Sequence, residues 1–195
     1  PSQWQWYATV FGGMCLIDFL ATEVRHLGDP SARTFSLGAW LYAAATLPIF
    51  WTSDPGPLGE EFGWRGYALP RLLRLTTPFY ASVLLGLIWG IWHAPAIMQG
   101  HNYPGYPVLG VFMMIIFCIL LGTIFSWMYL NTKSPWVAAL AHGSVNAVAV
   151  LPILFFQPDF NMAFGGTIAT PPAWIGMILF IGWLVWTKRL PLQSQ

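Results

Sequence analysis

The sequence predicts an all-α fold, a polytopic transmembrane helical bundle of about six spans plus one shorter helix that carries a charged motif. Three observations predict it. Mean hydropathy is +0.59, with 56% hydrophobic and only 8% charged residues. The apolar residues fall into runs of roughly 20, the length that crosses a hydrocarbon core. Between the second and third runs the charge concentrates in Glu60-Glu61-Phe62-Gly63-Trp64-Arg65. A water-soluble chain of 195 residues could bury a full core, but it would need a charged exterior that this composition does not supply. The net charge of +1 gives no signal for nucleic acid.

The expected spans are, in order, 4–20, 35–51, 79–98, 108–130, 135–156 and 174–186. The segment 54–77 differs from them. It opens with Asp54-Pro55-Gly56-Pro57, a turn and helix-start signal, and continues as a mixed helix over about 58–75 that ends at Thr77-Pro78. The connections 99–107 and 157–172 are rich in Pro, Gly and Asn and read as loops. Cys15 and Cys118 both lie in apolar runs and read as small core residues, not as a disulfide. Residues 1–195 form a single membrane domain with its core at about 54–156. The absence of an initiator Met, with an apolar run beginning almost at once, suggests a fragment that lacks upstream helices.

Basic residues orient the bundle. If the 58–75 helix crosses the bilayer, Arg25, Arg33, Arg71, Arg74, Lys133, Lys188 and Arg189 fall on one side, which the positive-inside rule makes cytoplasmic, with the C-terminus. The expected location is therefore the cell membrane, multi-pass, in a bacterium.

Ionisable groups are expensive in such a chain, about 2.5–3.5 kcal/mol each at the centre of a membrane helix. Glu61 and Arg65 are four apart with the acid first, the favourable order for an ion pair on one helix face. Glu60 then points elsewhere and is left to face a cavity. His93 follows Trp89 by four residues, so the indole can pack under the imidazole. Pro95 interrupts that helix near its end. Gly86 and Gly90 form a face of small residues that permits a close helix approach. His142 and Asn146 are again four apart and share a face. Each feature also has an ordinary reading: acids stabilise a helix N-terminus, and a membrane His or Asn can serve as interhelical glue. Their appearance on three otherwise apolar helices favours a site.

A glutamate, two histidines and an asparagine can activate water and support an oxyanion, the requirements for hydrolysing an amide without a covalent intermediate. The same groups, Glu60, His93 and His142, are of a type that could hold zinc. Other membrane-protease chemistries are not encoded. There is no His-Glu-x-x-His and no Gly-x-Ser-x-Gly around Ser144. Acidic residues within the six spans are confined to Asp18, so an aspartate pair is missing.

These residues resemble the CAAX protease and bacteriocin-processing family, also called the Abi or CPBP intramembrane proteases. Its pattern is Glu-Glu-x-x-x-Arg, aromatic-x-x-x-His and His-x-x-x-Asn/Asp on successive membrane helices. Glu60, Glu61 and Arg65 match the first motif, Trp89 and His93 the second, and His142 and Asn146 the third; the family usually has Phe where this chain has Trp89. The resemblance implies an intramembrane endopeptidase that cuts a membrane-associated, hydrophobic or prenylated peptide. Glu60 would activate water, Glu61 would be held by Arg65, His93 would assist the water, and His142 and Asn146 would support the oxyanion. Members have been described as metalloproteases and as glutamate-dependent proteases. The second requires no cofactor and is favoured here, because no tight metal-binding motif is present.

Two alternatives remain open. One is a non-catalytic self-immunity protein or scaffold that binds a peptide bacteriocin in the same cavity. The other is a small proton-relay transporter, which the absence of an internal repeat disfavours. The expected partners are a peptide or lipidated protein and membrane lipid, with the oligomeric state open. One tension stands. His93 lies about 14 residues into its span and His142 about eight, a difference in depth of roughly 9 Å if both spans start on the same side.

Overall fold

The structure, a computed structural model, describes residues 5, 55–155, 161, 163–164 and 168–191. The expected spans 4–20 and 35–51, with Cys15, Asp18, Arg25 and Arg33, lie outside the described residues apart from Gln5. Among the described residues every regular element is helical.

The motif segment is not one uniform helix. α1 (Gly56–Glu61) starts with Pro57 in its first turn, where the missing N–H has no intrahelical partner to lose. A π-helical stretch follows over Phe62–Ala68, closed by the Leu69 N–H donating to the Trp64 carbonyl five residues back. α2 (Leu69–Leu72) completes the segment. Pro70 supplies a physical reason for the wide turn: in a regular α-helix its ring would clash with the carbonyl of Gly66. Glu61, Arg65 and Leu69, spaced by four, form the buried face.

α3 (Pro78–Trp92) begins at Thr77, whose hydroxyl accepts from the Tyr80 N–H at 3.5 Å. Helical bonding breaks at His93, and α4 (Ala94–Met98) resumes with Pro95 in its first turn. α5 (Pro107–Thr132) is the long central helix, buried on every side from Leu121 to Met128. Lys133, in the left-handed region at φ 54°, stops it. α6 (Pro135–Phe155) and α7 (Pro171–Trp186) pack against α5; Trp127 meets Phe180 edge to face at 5.4 Å.

α3 and α5 approach backbone to backbone. A Cβ on Gly86 would stand 2.6 Å from the Cys118 carbonyl and from the Ile119 Cα, and one on Gly90 would stand 2.5 Å from the Ile115 Cα. The small face read in the sequence is therefore the α3–α5 seam.

Pro78–Met98 and Pro107–Thr132 are long and apolar enough to cross a membrane, two of the six expected spans; α7 is apolar but has 16 residues. Their outer faces are hydrophobic too. Leu84, Ile88 and Ile91 on α3, Phe112 and Ile116 on α5, and Ile178 and Leu179 on α7 are all exposed. A helix that is apolar outside as well as inside suits lipid and not water. Arg71 and Arg74 precede α3, and Lys188 and Arg189 follow α7. The Phe79 N–H donates to the Pro191 carbonyl at 3.4 Å, so these four residues share one end of the bundle.

Candidate active site

The site is built where α1, α3, α5 and α6 meet. Glu61 is fully buried, and its Oε1 accepts from Arg65 at 2.8 Å and from His142 Nδ1 at 3.0 Å. The first contact is the ion pair expected from the spacing. The second links residues 81 apart, and only folding reveals it. Arg65 also donates to the Gly122 carbonyl at 3.2 Å, and its guanidinium lies 4.9 Å from the Trp89 ring centre and 5.3 Å from that of Phe125. A buried arginine is tolerable only with such partners.

Glu60 points away from Glu61, as expected, and is half-buried. The structure differs from the sequence reading in what it meets. Its Oε2 accepts from the Trp89 indole N–H at 2.8 Å, instead of projecting freely into a cavity. A buried indole needs an acceptor, a signal that was present in the sequence and that the packing role assigned to Trp89 left unused.

Trp89 is the hub. Its ring meets His93 at 5.7 Å and His142 at 5.1 Å, both edge to face. This resolves the depth tension. Trp89 lies one turn nearer the start of its helix than His93, so its indole bridges the offset between the two imidazoles. His93 Nδ1 lies 2.8 Å from the Trp89 carbonyl, which can only accept, so Nδ1 carries the proton and Nε2 is the acceptor in the neutral ring. His142 donates its Nδ1–H to Glu61; its Nε2 then accepts in the neutral ring and donates in the charged one.

A cavity of about 90 Å³ has walls that include Trp89, His93, Cys118, His142, Asn146 and Ala169. It has room for a few waters and not for a peptide. Three of the expected site residues, His93, His142 and Asn146, line it together. Glu60 stands outside these walls, on the indole that forms one of them. On the far side, the Tyr103 hydroxyl donates to the Ala169 carbonyl at 3.0 Å and closes the loop before α5 onto the segment before α7. Burial raises the Tyr103 phenol above its ordinary range, so this contact stays a hydroxyl donor. Cys118 is a free, buried thiol, as expected.

Glu60, His93 and His142, the residues that could hold zinc, are not grouped as a ligand set. Among the described residues no three His, Cys, Asp or Glu side chains are grouped to hold a metal ion. Trp89 engages Glu60 Oε2 and His93 Nδ1, and Glu61 engages His142 Nδ1, which leaves Glu60 Oε1 and the two Nε2 atoms to face other groups.

Comparison with known proteins identifies a family. The family model for type II CAAX prenyl endopeptidase Rce1-like proteins matches residues 34–148, more than half of the chain. The chain is 32% identical to CAAX prenyl protease 2 of Methanococcus maripaludis over 128 residues, covering 61% of this chain and 45% of that protein. It is 28% identical to lysostaphin resistance protein A of Staphylococcus haemolyticus over 121 residues, covering 62% of this chain and 31% of that one. The chain thus spans less than half the length of these two relatives. No solved structure matches it.

Proposed function

Because the chain belongs to the type II CAAX prenyl endopeptidase Rce1-like family, we propose that it is an intramembrane endopeptidase hydrolysing a peptide bond in a prenylated or otherwise hydrophobic, membrane-associated substrate. The observation that carries this reading is the convergence of three motifs from three helices on one indole: Glu60 on its N–H, and His93 and His142 on its ring.

The roles of Glu60 and the two histidines follow from their atoms not engaged in the contacts above. Glu60 Oε1, which carries no hydrogen bond among the described residues, takes a proton from water. His93 Nε2 accepts from the same water and orients it. The oxygen's electron pair forms the new bond to the scissile carbonyl carbon, and the carbonyl π pair moves onto oxygen. Asn146, and His142 in its charged form through Nε2–H, donate to that oxyanion. As the oxyanion collapses, the C–N bond breaks, and the amine leaves with the proton that Glu60 took. Arg65 and Glu61 do not touch the reacting atoms; they hold His142 in place. A cavity of about 90 Å³ takes the attacking water and the reacting carbonyl, and not a whole peptide. The basic end of the bundle, with Arg71, Arg74, Lys188 and Arg189, faces the cytoplasm in this reading of a multi-pass cell-membrane protein, with the C-terminus on the same side.

Purified protein in lipid, given prenylated and plain hydrophobic peptides and read by mass spectrometry, tests the proposal. Wild type cleaves, and Glu60→Gln loses about 10²–10⁴-fold in rate. Equal cleavage by both would refute it. A second reading, a peptide-binding immunity protein without hydrolysis, draws support from the likeness to lysostaphin resistance protein A. In that case neither protein cleaves, and cells carrying Glu60→Gln stay protected.

A further inference from the structure

We infer that Trp89 is a positioning residue for Glu60, its indole N–H fixing the carboxylate against one wall of the cavity that both imidazoles line; the inference rests on the protease reading above.

The indole is held far more tightly than the carboxylate. Trp89 is 2% exposed, and Phe125, at 6.2 Å, adds to the contacts with His93, His142 and Arg65. The next residue, Gly90, presses its own backbone against α5, so the helix that carries the indole is fixed as well. Glu60, by contrast, sits near the end of a six-residue helix, just before the π-helical stretch, with a neighbour, Gly59, in open space. A half-buried Glu on such a segment has several rotamers to choose from. The 2.8 Å bond, in the range of a hydrogen bond to a charged acceptor, selects one of them. It also leaves Oε1 as the oxygen available to water. Phenylalanine, smaller than an indole, would keep an aromatic ring against the same neighbours and leave Glu60 without its anchor.

Trp89→Phe is therefore the informative variant. It lowers kcat by about 10-fold to 100-fold, the loss expected for one hydrogen bond to a charged group, while KM stays within about 2-fold. A change confined to packing would instead lower the folded fraction and leave the turnover of the folded protein unchanged. The second measurement does not use activity. In protein labelled at its tryptophans, the indole N–H resonance that disappears in Trp89→Phe (or in Trp89→Tyr, should the first variant not fold) moves in Glu60→Ala. A kcat within about 2-fold of wild type, or a resonance that Glu60→Ala leaves unmoved, overturns the inference. Should wild type cleave no peptide, the protease reading fails, and the resonance alone decides whether the pair exists.

Discussion

The two carboxylates of the motif are neighbours in sequence and opposites in surroundings. Glu61 is fully buried and binds two nitrogen donors, an arginine from its own segment and a histidine from α6. Glu60 is half-buried and binds one, an indole from α3. Even the tighter half is tied through a single oxygen: Glu61 Oε2 and Arg65 Nε are buried with no hydrogen bond among the described residues. The contrast separates scaffold from chemistry. A carboxylate paired with a buried arginine in the interior holds helices together and is a poor base. One with a free oxygen near water can accept a proton.

Four substitutions break or sharpen this contrast through stability, measured as thermal unfolding in lipid. Arg65→Met acts on the scaffold half. It strands Glu61 as an uncompensated buried charge and costs about 3–5 kcal/mol; an unchanged melting temperature would mean that Glu61 does not depend on the pair. Gly86→Ala comes next, at about 1–3 kcal/mol, because the new methyl meets α5 backbone that cannot turn aside. It also moves the Gly122 carbonyl relative to Arg65, so cleavage falls with stability. Tyr103→Phe removes the bond to Ala169 and costs about 0.5–1.5 kcal/mol. The same change loosens one wall of the cavity and increases cleavage of bulky peptides relative to small ones; an unaltered ratio would show that substrate enters elsewhere. Glu60→Gln has the smallest effect, within about 0.5 kcal/mol, because the amide oxygen still accepts from Trp89. A large loss of stability there would erase the distinction between the two carboxylates.

What the sequence disclosed was mostly local. The four-residue spacing of Glu61 and Arg65, the break at Pro95 and the small face at Gly86 and Gly90 all follow from one helix's own geometry, and all appear in the structure. The apolar segments expected from 79 onward match the helices α3 to α7 to within a few residues. The contacts between helices were not legible. Nothing in the periodicity of α6 says that His142 will turn one nitrogen to Glu61, or that Arg65 will reach the Gly122 carbonyl. Such pairings depend on how helices rotate against one another, which binary patterning constrains weakly when both faces of a helix are apolar. The π-helical stretch was missed for a related reason: its cause, Pro70, lies after the motif and acts backward along the chain.

That stretch carries a consequence for how this segment can change length. A π turn is equivalent to an α-helix into which one residue has been inserted. Deleting a residue between Phe62 and Ala68 would restore a regular helix and rotate one flank against the other by about 100°. Then either Leu69 leaves its packing with Ala81 and Leu85, or Glu61 swings away from His142. The segment can accept many side chains at outward positions such as Gly63, but it cannot lose one residue and keep both anchors.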